Sequence, residues 1–375
     1  MPGKRIAVID IIKGLLILLI AVFHLVYRPM GSVFDLIMQD STYLGIPVFF
    51  VLSGYFYKFE GRVFPPMGKR LKKFALPIVG SSLAVLILLA PYYMIFHGYS
   101  FHQWLSDVIT TYMRPEFTAW LLPSFSSTGP LFENVSPVWY IWALVFSTIV
   151  LYIIMHFTKD DPVKITISIL ILLVIGTFTY VLLPAMSWSL TNVPVYTALM
   201  MTGFLISKYK VIDKFCSFNL PVSVIIATAI LVGHYFLYKY LGWAQMYRSV
   251  YDHDHSYYAT IVFAVQTLIG GYALLTYARL IEKVKPLSFV IEWCGRHTPE
   301  FIVFHYVIGG LAADLLHTYN KCGENWYVDP VTPEIFYKSV ITVIIAIAGS
   351  VGIGILNDKL WEHVKRKRVT GDGSH

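Results

Sequence analysis

Ten apolar blocks, spread over the whole chain, constrain this sequence more than any motif does. They cover approximately residues 6–27, 43–57, 74–96, 137–157, 165–184, 194–207, 220–241, 257–278, 298–317 and 338–357. Their apolar residues run consecutively instead of falling on one helical stripe, the pattern of segments surrounded by hydrocarbon. Such a segment must satisfy every backbone N–H and C=O internally, and about 20 helical residues cross a bilayer. The expected fold is therefore all-α, a polytopic membrane bundle of about ten transmembrane helices. The second and sixth blocks are short, so their helices should extend into flanking polar residues. Composition agrees: 57% of the 375 residues are hydrophobic and 14% are charged, against about 25% charged in soluble chains. Ten spans leave little length for a soluble domain, so residues 1–363 read as one integral membrane domain. Any chemistry must be built from helix faces and loops.

The net charge of +7 follows the same topology. With the N-terminus in the cytoplasm, 22 of the 29 Lys and Arg fall on inner segments and 6 on outer ones, with Lys13 inside the first block. This asymmetry places both termini inside. The basic surplus is thus a topological signal, and no nucleic-acid partner is expected; the expected partner is the lipid bilayer. The first block is too long, and lacks a small-residue cleavage site, to be a removed signal peptide. Residues 364–375 carry the run Lys365–Arg368 and then Gly and Ser, and read as a basic, then disordered tail. Cys216 and Cys294 fall inside and Cys322 outside, so no structural disulfide is expected.

Ionisable residues within apolar spans are costly and point to function. The first block holds Asp10, Lys13 and His24. Lys13 and His24 are eleven residues apart, about 20° past three full turns, so they share a helix face. Asp10 precedes Lys13 by one turn and can pair with it. His24 lies roughly 16 Å further along the axis, toward the outer surface. One face thus carries an acid–base pair at its inner end and an imidazole at its outer end.

Further along come Ser53-Gly54-Tyr55 and the basic run Lys69-Arg70-Leu71-Lys72-Lys73. Together with Lys13-x10-His24, this order resembles the acyltransferase-3 family of multispanning membrane acyltransferases. Family members carry a basic residue ten positions before a histidine in the first helix, then Ser-Gly-Phe, then Arg-x-x-Arg. Here Tyr55 replaces the Phe and Lys73 the second Arg. The setting Asp10-x-x-Lys13-Gly14 is similar to the family's Asp-x-x-Arg-Gly. Weaker likenesses lie at Pro137-Val-Trp139-Tyr140 and in the segment from Gly295 through Glu300 to His305. No fused extracytoplasmic esterase-like domain, as some members carry, is expected.

The resemblance implies a membrane acyltransferase moving an acyl group, usually acetyl, from cytoplasmic acyl-CoA to a hydroxyl of a cell-envelope saccharide or lipid-linked sugar. Acyl-CoA would be a donor substrate, with no permanently bound cofactor, and the setting a bacterial cytoplasmic membrane. His24 would be catalytic, as general base or as an acyl-carrying nucleophile. Lys13, held by Asp10, would orient the donor. Arg70, Lys73 and Lys69 would meet its phosphates, and Ser53, Gly54 and Tyr55 would let backbones approach closely and bring a hydroxyl to the donor site. Trp139, Tyr140 and Glu300 are candidate acceptor-binding residues. Glu300 and His305 lie about 140° apart around one helix, so one of them at most should face the first helix. Glu300 is the candidate, and His305 reads as a buried core histidine.

Asp252-His253-Asp254-His255 offers carboxylates and imidazoles, but in one short outer loop it reads as solvated, and no metal is expected. Trp104 and Trp120 in the long outer loop 97–136 read mainly as interfacial aromatics. No phosphate-binding loop, dinucleotide fingerprint or Gly-x-Ser-x-Gly elbow is present. The alternative class is a polysaccharide exporter or proton-coupled transporter, in which the same buried charges would relay protons.

Overall fold

A computed structural model describes residues 7–26, 32–35, 37–38, 47–59, 63–72, 98–112, 138–182, 187–241, 259–316 and 332–371, with isolated residues between 45 and 95. Among the described residues every regular element is helical. In chain order these are α1 (Ala7–Leu25), α2 (Val48–Tyr55), α3 (Phe101–Tyr112), α4 (Val138–Thr158), α5 (Pro162–Leu182) and a 3-10 turn (Ser187–Asn192). There follow α6 (Val193–Lys208), α7 (Val211–Cys216), α8 (Leu220–Leu241), α9 (Ala259–Glu282), α10 (Lys285–Arg296), α11 (Thr298–Leu315) and α12 (Pro333–Gly371). Residues 64–72 are also helical. Proline opens α6, α10 and α11, where its missing N–H costs nothing. Asp161 starts α5 by accepting from the backbone N–H of Val163 at 2.9 Å, a side-chain cap.

Among the described residues, seven helical stretches are long and apolar enough to cross a membrane: Ala7–Leu25, Tyr140–Thr158, Pro162–Leu182, Leu190–Lys208, Leu220–Leu237, Thr260–Glu282 and Pro333–Leu360. The protein is thus a multi-pass membrane protein, and seven of the ten expected spans stand. The second block contains the eight-residue α2 among its described residues. Nearly all of the third lies outside the described residues. The ninth is α11, whose 18 residues include Glu300, His305 and Asp314, and it is not among the seven. The basic run Lys365–Arg368 continues α12, and so do residues 369–371, the start of the stretch expected as disordered. Lys and Arg are good helix formers, and extending an existing helix avoids the cost of nucleation. The inner segment expected as a loop contains α10, whose buried Ser288, Ile291, Cys294 and Gly295 recur at helical spacing. A search for unbroken apolar runs passes over such an amphipathic helix.

Two sets of contacts organise the bundle. α1 packs against α9, α10, α11 and α12, while α6 packs against α2, α4 and α5. The α2–α6 contact is made backbone to backbone. A Cβ at Gly54 would overlap the Met200 carbonyl, and one at Gly203 would overlap the Val51 carbonyl. Small residues permit this approach between membrane helices. The Phe50 ring stacks on Tyr196 at 4.1 Å beside this crossing. Gly203→Val should therefore cost about 3 kcal/mol, at the upper end of overpacking penalties. Nothing lies within 4 Å of a Cβ at Gly233, so Gly233→Ala should be neutral or slightly stabilising. Melting of the two variants in detergent checks this contrast.

Candidate active site

α1 is the axis of the site because it carries polar groups at both ends of an apolar, largely buried helix. Near its N-terminal end, Lys13 Nζ lies 2.7 Å from Asp10 Oδ1. Arg296, from the end of α10, brings Nε to 3.9 Å from Asp10 Oδ2, while its Nη2 donates to Glu292 Oε2 at 3.2 Å. The Asp10 side chain is 5% exposed, whereas Lys13 and Arg296 are 23% and 41% exposed. The anchoring carboxylate is thus buried and the cationic heads reach open space. Two glycines make this possible. A Cβ at Gly295 would overlap the Asp10 carbonyl, and one at Gly14 would overlap the Ile291 carbonyl. The α1 and α10 backbones therefore touch where Asp10 sits. Arg296 was not legible as a site residue because its segment reads as an inner loop. The available signal was a Gly-Arg pair closing an amphipathic repeat.

At the other end of α1, half-buried His24 lies in the last turn. The Phe23 ring meets it edge-on at 5.1 Å, and the His305 ring of α11 lies 6.2 Å away, tilted by 40°. His305 is 1% exposed. Its Nδ1 is 2.6 Å from the Phe301 carbonyl, which requires the proton on Nδ1 for a hydrogen bond. Its ring stacks on Phe301 at 4.7 Å. Gly309, one turn on, lets α11 close on the end of α1: a Cβ there would stand 2.6 Å from Leu25 Cδ2.

Of Glu300 and His305, His305 is therefore the one beside His24. Glu300 turns toward α12, where Oε1 accepts from Asn357 Nδ2 at 3.0 Å. Its Oε2 lies 3.9 Å from His297 Nδ1, and His297 Nε2 is 3.9 Å from Asp358 Oδ2. The geometry thus places Glu300 in a separate polar cluster, not with His24. The helical-wheel angle was sound, but it could not say which of the two residues faced α1.

The motif residues of α2 and of stretch 64–72 meet. Arg70 Nη2 donates to the Ser53 carbonyl and, at 3.2 Å, to Ser53 Oγ. Lys69 is exposed on the same stretch, and Lys73 lies outside the described residues. Gly54 faces the α6 backbone, a packing role. Tyr55 is half-buried and edge-on to Phe56 at 5.3 Å. Tyr140 is buried with its ring 5.2 Å from Phe50 and 6.0 Å from Phe49, inside the aromatic core. Trp139 is helical within α4, but its side chain lies outside the described residues, as do the loop 252–255, Trp120 and Cys322. Among the described residues no three His, Cys, Asp or Glu side chains group as metal ligands. Burial raises the thiol pKa of both Cys216 and Cys294, which disfavours either as a nucleophile.

A family model described as an acyltransferase domain matches residues 6–356. That range contains every group described above except Asn357 and Asp358. No curated protein and no solved structure matches the chain.

Proposed function

The chain belongs to the acyltransferase-3 family, and on that premise we propose that this membrane acyltransferase uses acyl-CoA to acylate a hydroxyl of an extracytoplasmic saccharide or glycolipid. Acetyl is the first acyl group to test. The observation that carries the reading is the polarity of α1. A cationic cluster built on Asp10 lies at one end and His24 at the other, roughly 16 Å apart along the axis. The cationic end adjoins the Lys- and Arg-rich segments that the positive-inside rule assigns to the cytoplasm, which suits a phosphate-bearing donor. Lys13 and Arg296 offer point-charge and forked donors respectively, and Arg70 and Lys69 are the further cations proposed for the donor.

In the proposed reaction the donor's thioester is presented at the His24 end of α1. His24 takes the proton of the acceptor hydroxyl as its oxygen bonds to the thioester carbonyl carbon. The carbon–sulfur bond then breaks, and the CoA thiolate takes the proton from the imidazolium. The products are an ester and CoA thiol, with no net proton change. An imidazole suits both proton transfers near neutral pH.

Detergent-purified protein given acetyl-CoA is expected to release CoA thiol saturably. Failure to release thiol from either acetyl-CoA or succinyl-CoA would remove the donor assignment. Saccharide movement into vesicles without thiol release would favour an exporter.

A further inference from the structure

The imidazole of His305 has no part in the reaction as proposed above, yet it is a buried titratable group whose ring lies 6.2 Å from that of His24. Its surroundings fix it tightly. Phe301 accepts from Nδ1 at 2.6 Å through its carbonyl and stacks on the ring at 4.7 Å. The carbonyl contact sets the tautomer, leaving Nε2 as the nitrogen that presents a lone pair. Gly309 sets the distance by letting the Leu25 side chain into α11 one turn beyond His305. The outcome is two imidazoles 6.2 Å apart between centroids, one half-buried and one 1% exposed.

A general base is effective only when its ring is oriented and its tautomer defined, a task usually given to a third group behind it. We propose that His305 is the positioning residue of His24, acting through Nε2 from the buried side to hold the His24 ring toward the acceptor. This rests on the acyltransferase reading of the site. At this spacing the action is either direct, after a small ring rotation, or through one bridging oxygen. The neutral imidazole suits a buried place in the bundle, where an ionised carboxylate would be far more costly.

The two nitrogens of His305 can be tested separately. In His305→Asn the side-chain amide takes the place of Nδ1 and can keep the Phe301 bond, but nothing replaces Nε2. In His305→Gln the amide reaches the Nε2 position and can present an acceptor there. With acetyl-CoA as probe, His305→Asn is expected to lower kcat by about tenfold or more while the donor KM stays within about twofold. His305→Gln is expected to recover most of that loss. Gly309→Ala, which leaves both imidazoles in place and forces Leu25 to give, is expected to lower kcat severalfold at unchanged melting. Wild-type kcat in both His305→Asn and Gly309→Ala would overturn the proposal. Equal losses in the Asn and Gln variants that track their melting would overturn it too, by showing a packing role only. Absence of turnover in the wild-type protein would instead refute the donor assignment itself, so the two failures are distinguishable.

Discussion

His24→Ala is expected to reduce acyl transfer by about 10²- to 10⁴-fold, the range contributed by a positioned general base, with little change in melting. The side chain is half-buried in the last turn of α1, and its ring neighbours are Phe23 and His305. Truncation therefore removes a few ring contacts at a helix end and leaves the central core untouched. The donor's KM should hardly move, since the basic groups assigned to the donor lie at the far end of the helix. A fall in kcat with KM unchanged marks an interaction made mainly in the transition state. The same protein tells base from nucleophile. Labelled acyl group retained on the quenched wild-type enzyme would mark an acyl-histidine, and its absence direct transfer. Normal turnover in His24→Ala would remove His24 from the mechanism.

Asp10→Ala should have the largest effect on stability and donor binding together. The carboxylate sits at a backbone crossing, 5% exposed, between Lys13 at 2.7 Å and Arg296 at 3.9 Å. Removing one partner of a buried ion pair typically costs 3–5 kcal/mol. The cationic heads here are partly open to solvent, so about 3 kcal/mol or less is expected after screening. Lys13 would also lose its fixed position, and the donor KM should rise by about tenfold, a loss of about 1.4 kcal/mol in binding. Asp10→Ala combined with Lys13→Met should regain part of the stability without regaining activity, because the uncompensated charge is gone while the donor contact is still missing. Melting temperature and KM, measured on the single and double variants, separate the two contributions. Additive stability losses would show that the pair is not coupled.

Much of this arrangement was written in local sequence. The Asp10–Lys13 pair and the shared face of Lys13 and His24 follow from helical geometry alone, and the long apolar blocks give the spanning helices. What local sequence did not carry depends on how distant helices meet. Arg296 reaches Asp10 only because Gly14 and Gly295 let α1 and α10 touch, and no periodicity within either segment announces that contact. His305 rather than Glu300 faces His24 because Gly309 seats α11 against Leu25, which sets the rotation of the whole helix. Gly54 makes the close backbone approach expected of its motif, but which backbone it meets, that of Met200 on α6, depends on the distant helix. Tyr140 lies in the aromatic core beside Phe50 for a similar reason: α2 and α4 both pack on or near α6. The continuation of α12 through Gly371 shows the opposite case, in which a preceding run of good helix formers carries the helix into the Gly-containing end expected as disordered.

The central claim is that a donor engaged at the Asp10–Lys13–Arg296 end of α1 is used by an imidazole at the other end. Vesicles reconstituted in a single orientation, with that cationic end outward, test it most directly. Acetyl-CoA labelled in the acetyl group is supplied to the outer face only, and a hydroxyl-bearing saccharide is present on both faces. Thiol release outside, coupled to labelled saccharide inside and lost in His24→Ala, is the predicted result. Labelling of saccharide only on the face that receives the donor, or equal labelling by His24→Ala, would contradict it.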